Sequence, residues 1–164
     1  MPETRETLTL RNKIAELERL SDFIAEFGDR NGLAQKDVFA FTLSLEELVT
    51  NIINYGYRGE GEHPIILTML VEDGTVCALL EDQAPAFDPF AREEVDITLG
   101  VEDRPIGGLG IHLCKKMMDH VSYDHTGGFN RVHLHRMLRG PGTTVAVPDP
   151  IDTPLESNPQ HHQT

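Results

Sequence analysis

Residues 44–57 read SLEELVTNIINYGY, and their pattern decides the fold. Leu45, Leu48, Val49, Ile52 and Ile53 recur at helical spacing, and Val38 and Phe41 extend the stripe toward the N-terminus. The spacing predicts a helix over 36–54, ended by Gly56 and the stretch Arg58-Gly59-Glu60-Gly61. The other face carries Glu47, Thr50, Asn51 and Asn54. Glu47, Asn51 and Asn54 stand at i, i+4 and i+7, which places them together on one side of the helix. Asparagine is a mediocre helix former, so two in one polar stripe invite a chemical role. The Asn51 carbonyl is a hard oxygen donor of the kind Mg²⁺ takes. Glu47, one turn earlier, could orient or deprotonate a nucleophile. A plain solvated face would show the same pattern.

Outward from this helix the periods change. Residues 6–10 (ETLTL) alternate polar and apolar, a short strand signal. Ile14, Leu17, Leu20, Ile24 and Phe27 then recur at helical spacing, with Gly28 as the stop and Asn31-Gly32 as a turn. Downstream, two strand-like runs at 65–71 and 75–81 flank Asp73-Gly74, a strong hairpin signal. Residues 82–104 hold prolines, many acids and little periodicity, and read as a long loop or lid. Residues 107–119 begin with glycines and become helical, with Ile111, Cys114, Met117 and Met118 inward. Two further strands, near 121–124 and 131–138, flank Gly127-Gly128. From Arg139 onward the chain is polar and proline-rich and reads as a disordered tail, which gives a domain over 1–138 and a tail over 139–164. The order strand, helix, helix, two strands, helix, two strands indicates an α+β sandwich with helices on one face. The hairpins argue against a Rossmann fold, which needs parallel crossovers.

The 164 residues suit one domain, large enough to be stable without disulfides or metals. The net charge of −13, from 27 acids and 14 bases, argues against direct nucleic-acid binding or a place on anionic lipid, since both surfaces would repel the chain. Cys77 and Cys114 each sit in an apolar run and read as buried small hydrophobes in a reducing compartment. No signal peptide or long apolar span is visible, so a cytoplasmic location away from the membrane is expected.

Two more stretches bear on chemistry. Asp82 ends a strand and opens the loop Gln83-Ala84-Pro85-Ala86-Phe87; an acid there can accept a hydrogen bond from an exocyclic amine such as that of adenine. Gly107-Gly108-Leu109-Gly110 opens a helix, where glycines let backbone approach phosphates and the helix N-terminus offers free amides. The turn lacks the lysine of a Walker A loop. His133 and His135 share one strand face, but no neighbour in sequence completes a metal-ligand pattern, and they read as exposed strand histidines.

In this order the features resemble the GHKL ATPase superfamily, and within it the anti-sigma-factor serine kinase branch. The strings that carry the resemblance are SLEELVTNIINYGY, LLEDQAPAFDPF, RPIGGLGIHLCKKMMDHVSY and GGFNRVHLHRML, and the resemblance covers residues 6–138. The resemblance implies a Bergerat-type two-layer sandwich, a mixed, mostly antiparallel sheet with helices on one face. It implies ATP with Mg²⁺ in a cleft under a lid. Asn51 matches the metal-binding asparagine, Glu47 the base that activates a partner's serine, and Asp82 the adenine-binding acid. The nucleotide site implied is Asn51, Asn54, Asp82, Ala84, Phe87 and Arg104, with the turn Gly107, Gly108, Leu109, Gly110 and Ile111. Two departures stand out. The family's Asp-x-Gly-x-Gly loop is here Asp82-Gln83-Ala84-Pro85-Ala86, which can hold adenine if it keeps negative φ. Asn130 replaces a threonine often found before the last strand.

The resemblance therefore implies an anti-sigma regulatory factor that phosphorylates a serine on a small STAS-like antagonist and binds a sigma factor. The alternative is a non-catalytic nucleotide-binding module that sequesters a protein without phosphotransfer. The branch often forms homodimers, for which the first strand and helix are a contact to test. A histidine kinase is not expected, because the first 35 residues contain no histidine.

Overall fold

The computed structural model describes residues 4–57, 61–91 and 108–139. In chain order the elements are β1 (Thr4–Arg11), α1 (Leu17–Arg30), α2 (Gln35–Asn51), β2 (Pro64–Glu72), β3 (Thr75–Asp82), α3 (Gly108–Met117), β4 (His120–Thr126) and β5 (Phe129–Met137). A 3-10 turn, Ile14–Glu16, leads into α1, and a π-helical turn, Ile52–Gly56, extends α2.

The strands form one sheet in the order β1-β2-β3-β5-β4, and each neighbouring pair runs antiparallel. The hairpins carry the turns their sequences demand. Asp73 and Gly74 both have positive φ, at 49° and 74°, as the tightest hairpin turn requires. Gly127 and Gly128 do the same between β4 and β5. Strand alternation sets the faces. Leu10, Ile65, Leu67, Met69, Val76, Ala78, Leu80, Val132 and Leu134 point inward and are buried. The helices cover this inner face with Leu20, Ile24, Phe27, Phe41, Leu45, Leu48, Val49 and Cys114. The result is an α+β two-layer sandwich.

Several ties hold the layers in register. Gly28 is not the end of α1, which runs on to Arg30; a Cβ on Gly28 would lie 2.5 Å from Val38 Cγ2, so the glycine lets α1 and α2 approach closely. The helix ends instead at Asn31-Gly32, where Gly32 has φ of 64°. Arg136 on β5 donates to Asp37 at the start of α2, at 2.8 Å, and to the Met117 carbonyl at the end of α3. One side chain thus joins the sheet to two helices. Glu16, buried before α1, accepts from Arg11 Nε at 2.9 Å and Arg19 at 2.8 Å, and these two cations hold its carboxyl down at about 2.

Three sequence expectations are corrected. Ile14 is 51% exposed because the 3-10 turn rotates it off the helical stripe. Cys77 is only half-buried, since it alternates with the inward Val76 and Ala78 and faces the open side of the sheet. His133 and His135 are half-buried rather than exposed; His133 Nε2 lies 3.3 Å from Asp124 Oδ2 and the His135 ring packs edge-on against His120.

Candidate functional site

A cleft runs between α2, the ends of β3 and β5, and the start of α3. Asn51 lines it from α2, and Glu47, one turn earlier, lies against Gly110 of α3. The π-helical turn that follows inserts an extra residue per turn, so the α-helical count fails after Asn51. Asn54, expected on the same face, is exposed, whereas Tyr55 lines a small cavity beside Asn51.

The deeper part of the cleft is a slot lined by Leu48, Asn51, Ile52, Ala84, Phe87 and Val132, with Asp82 and Asn130 as its polar residues. Asp82 is buried. Its Oδ1 accepts the Ala84 N–H at 2.9 Å and the Asn130 amide at 3.0 Å. Among the described residues no side chain or backbone amide donates to Oδ2, and Asp82 lines the slot. Burial pushes the Asp82 carboxyl above its ordinary range, and the two hydrogen bonds and nearby His125 oppose that shift. Ala84 is buried against Gly56, where a Cβ would lie only 3.0 Å from the Ala84 Cβ.

The slot is narrow, about 30 Å³, and a second cavity of about 10 Å³ continues toward Ile111 on α3. Asn51, Phe87 and Pro89 line both. Phe87, 41% exposed, stands at the mouth of the slot. The loop from Gln83 to Ala91 has no residue of positive φ, so it holds its shape without the glycines its sequence lacks.

At the other end, Gly108, Leu109 and Gly110 form the first turn of α3, where a helix has no intrahelical acceptors for its amides. Gly110 lies against Glu47. A Cβ there would stand 2.3 Å from Glu47 Cδ and 2.5 Å from Oε2, so with any side chain at 110 the Glu47 carboxyl would have to shift. Glu47 Oε1 is buried without a hydrogen-bond partner. Burial raises the Glu47 carboxyl above its ordinary range, with the Asn51 side chain opposing. Behind it, burial pushes the Cys114 thiol up to about 11, so this cysteine is inert packing. Arg104 and Gly107, the remaining expected ligands, lie outside the described residues. Among the described residues no group of three or more His, Cys, Asp or Glu side chains is placed to hold a metal ion.

Residues 10–136 match the family described as the histidine kinase-like ATPase domain. The chain belongs to that ATPase family. Its relatives include the serine-protein kinase RsbW of Listeria monocytogenes, 24% identical over 129 residues, which cover 76% of this chain and 81% of the relative. The serine-protein kinase RsbW of Bacillus cereus is 29% identical over 109 residues, 64% of this chain and 68% of the relative. Among solved structures, the RsbU and RsbW domains of Rv1364c from Mycobacterium tuberculosis superpose with a TM-score of 0.61 at 17% identity. That match covers 84% of this chain but only 33% of the two-domain chain. The likeness to this structure is one of fold.

Three further residues are bonded to the loop after Asp82. Asn130 is buried and bonds to the Asp82 loop at several points, and Tyr57 and Tyr123 support the same loop from either side. Asn130 was legible in principle, because it is in phase with the inward Val132 and Leu134. Nothing in the sequence marks Tyr57, which comes from the turn after α2.

Proposed function

We propose that this ATPase-family chain is a protein serine kinase of the anti-sigma type, acting on a serine of a small STAS-like antagonist protein and binding a sigma factor. The observation that carries the reading is Glu47. Its carboxyl is pressed onto the first turn of α3, where a phosphate would sit, and one of its oxygens is buried without a partner. An acid whose proton affinity is raised by burial suits a general base better than a solvated one.

The residues fit ATP–Mg²⁺. Oδ2 of Asp82 would accept the adenine amine, Asn51 would hold Mg²⁺ through its carbonyl, and the amides around Gly108 and Gly110 would take phosphate oxygens. Bound ATP–Mg²⁺ supplies an activated γ-phosphoryl with its charge neutralised. Glu47 would take the proton of the serine hydroxyl as the new O–P bond forms and the bond to the leaving ADP breaks. Ala84, Phe87 and Ile111 would shape the cleft around the nucleotide, and Arg104, Gly107 and Leu109 belong to the same proposal. The acidic balance of the chain suits basic segments of a sigma factor. No helix among the described residues is long and apolar enough to cross a membrane; a cytoplasmic role in transcriptional signalling, as a homodimer, completes the proposal.

The test is incubation with ATP–Mg²⁺ and the cognate antagonist. Serine phosphorylation is expected, with Glu47→Gln lowering its rate by about 10² to 10⁴ while nucleotide binding persists. No phosphorylation, with wild type and Glu47→Gln alike, overturns the kinase reading. The second reading, a nucleotide-holding module without phosphotransfer, is favoured by the loss of both glycines from the loop after Asp82. Thermal stabilisation by ATP–Mg²⁺ that Asp82→Asn abolishes, without any transfer, would select it.

A further inference from the structure

The loop after Asp82 lacks glycine, yet its backbone is bonded at almost every step. Tyr57 Oη accepts the Gln83 N–H at 2.7 Å. Tyr123 Oη, at 3.0 Å, and Asn130 Oδ1, at 3.1 Å, both accept the Phe87 N–H. Asn130 Nδ2 donates to the Ala84 and Pro85 carbonyls at 2.9 and 3.2 Å, and the Tyr123 hydroxyl donates to Asn130 Oδ1 at 2.5 Å. The three side chains come from three places: the turn after α2, the outer strand β4 and the first residues of β5. Each is itself held. The Tyr57 ring stacks on His63 with centroids 4.3 Å apart and planes 8° from parallel, and the His63 N–H donates to buried Asn12 at 2.8 Å. Asn130 is 4% exposed.

We propose that Tyr57, Tyr123 and Asn130 form a clamp that preorganises the base-recognition loop, holding Asp82 at the slot. They are positioning residues: they act on the base through the loop and need not touch it. The clamp does by side-chain bonding what glycines do elsewhere by conformational freedom, and it sets a loop of fixed shape in place of an adaptable one. This inference rests on the nucleotide-binding reading of the cleft.

The physical consequence separates two parts of the ligand. When the clamp is weakened, the loop spends less time in its competent shape, and apparent affinity falls by that fraction. The loss falls on the base alone, because the amides at the start of α3 are not part of the clamp. The variants are Tyr57→Phe, Tyr123→Phe and the double variant, which remove hydroxyls and keep the rings. Binding of ATP–Mg²⁺, GTP–Mg²⁺ and Mg²⁺-tripolyphosphate is measured by calorimetry on the full chain. A neutral hydrogen bond contributes about 1 kcal/mol, so the Kd for ATP–Mg²⁺ is expected to rise about fivefold in each single variant. The preference for ATP over GTP should narrow in parallel, while tripolyphosphate affinity stays within twofold. If buried Tyr57 proves necessary for folding, the half-buried Tyr123 carries the test alone, with the same expectation.

Two results overturn the clamp. In one, wild type binds ATP–Mg²⁺ and the variants bind it within twofold of wild type. In the other, ATP and tripolyphosphate affinities fall together, which marks a general loss of structure. A wild type that binds tripolyphosphate but shows no preference for ATP overturns the assignment of the slot itself, and the clamp with it.

Discussion

Replacing Gly110 by alanine should separate folding from chemistry in this protein. The new Cβ would stand 2.3 Å from Glu47 Cδ and 2.5 Å from its Cγ and Oε2. Carbon atoms in contact sit about 3.5 to 4.0 Å apart, so something must move by roughly 1.2 Å or more. Two partners could yield. The backbone of α3 is pinned by Ile111, Cys114 and Met118, all in the core. The Glu47 carboxyl is the far end of a flexible side chain and should yield first. Its displacement into a poorer rotamer costs about 1 kcal/mol, and alanine in place of glycine within a helix returns about 1 kcal/mol. The net change in stability is close to zero. The chemical effect is not, because a misplacement of about 1 Å in a catalytic group can cost about 10²-fold in rate. Three measurements on Gly110→Ala check the argument. The unfolding free energy should stay within about 1 kcal/mol of wild type, and ATP–Mg²⁺ affinity within about threefold, since the amides of α3 stay in place. Transfer of the γ-phosphoryl to the antagonist serine should fall about 10²-fold. Transfer within about threefold of wild type would refute the role assigned to Glu47 against this turn. A loss of more than about 3 kcal/mol of stability would show that α3, not Glu47, gives way.

Three further outcomes follow from the ion pairs and buried acids. Glu16→Gln should cost about 1–3 kcal/mol at neutral pH, because a buried carboxylate loses charged bonds to Arg11 and Arg19. The native carboxyl titrates near 2 against an ordinary 4.5, so its contribution is present above about 4.5 and lost as pH falls toward 2; urea unfolding of wild type and variant across this range should converge in acid. Asp37→Ala should cost about 3–5 kcal/mol, because Arg136, with 16% of its side chain exposed, keeps a charge without its carboxylate; Asp37→Leu with Arg136→Met should recover much of the loss in the same measurement. Glu47→Gln should raise thermal stability above pH 5 and match wild type near pH 4. Burial raises this carboxyl, so the native state loses stability as the group ionises with rising pH. The gain should stay below about 1 kcal/mol, because solvent reaches much of the side chain.

Much of this protein was legible in its sequence, for a physical reason: local period and turn chemistry are short-range. The stripe from Phe41 to Val49, the alternation in β2 and β3, and the Asp73-Gly74 and Gly127-Gly128 turns specify their elements wherever they occur, and together they specify the sandwich. The positions of Glu47, Asn51, Asp82 and Gly110, on a helical face or at an element boundary, could be read off as well, and the structure gathers them around the ends of α2, β3 and α3. What the sequence could not decide depends on how elements meet. The π-helical turn shifted the face after Asn51 from Asn54 to Tyr55, a change set by packing at the end of α2 rather than by residue spacing. Gly28 looked like a stop and is a contact, because only the approach of Val38 gives its missing side chain a meaning. Tyr57, Tyr123 and Asn130 lie up to 73 positions apart and converge on one loop only once β3, β4 and β5 are paired. The opening helix thus determined by itself which side chains could do chemistry. The pressure of Gly110 on Glu47 and the bonded loop around Asp82, which aim those side chains, arise from close packing between segments far apart in the chain.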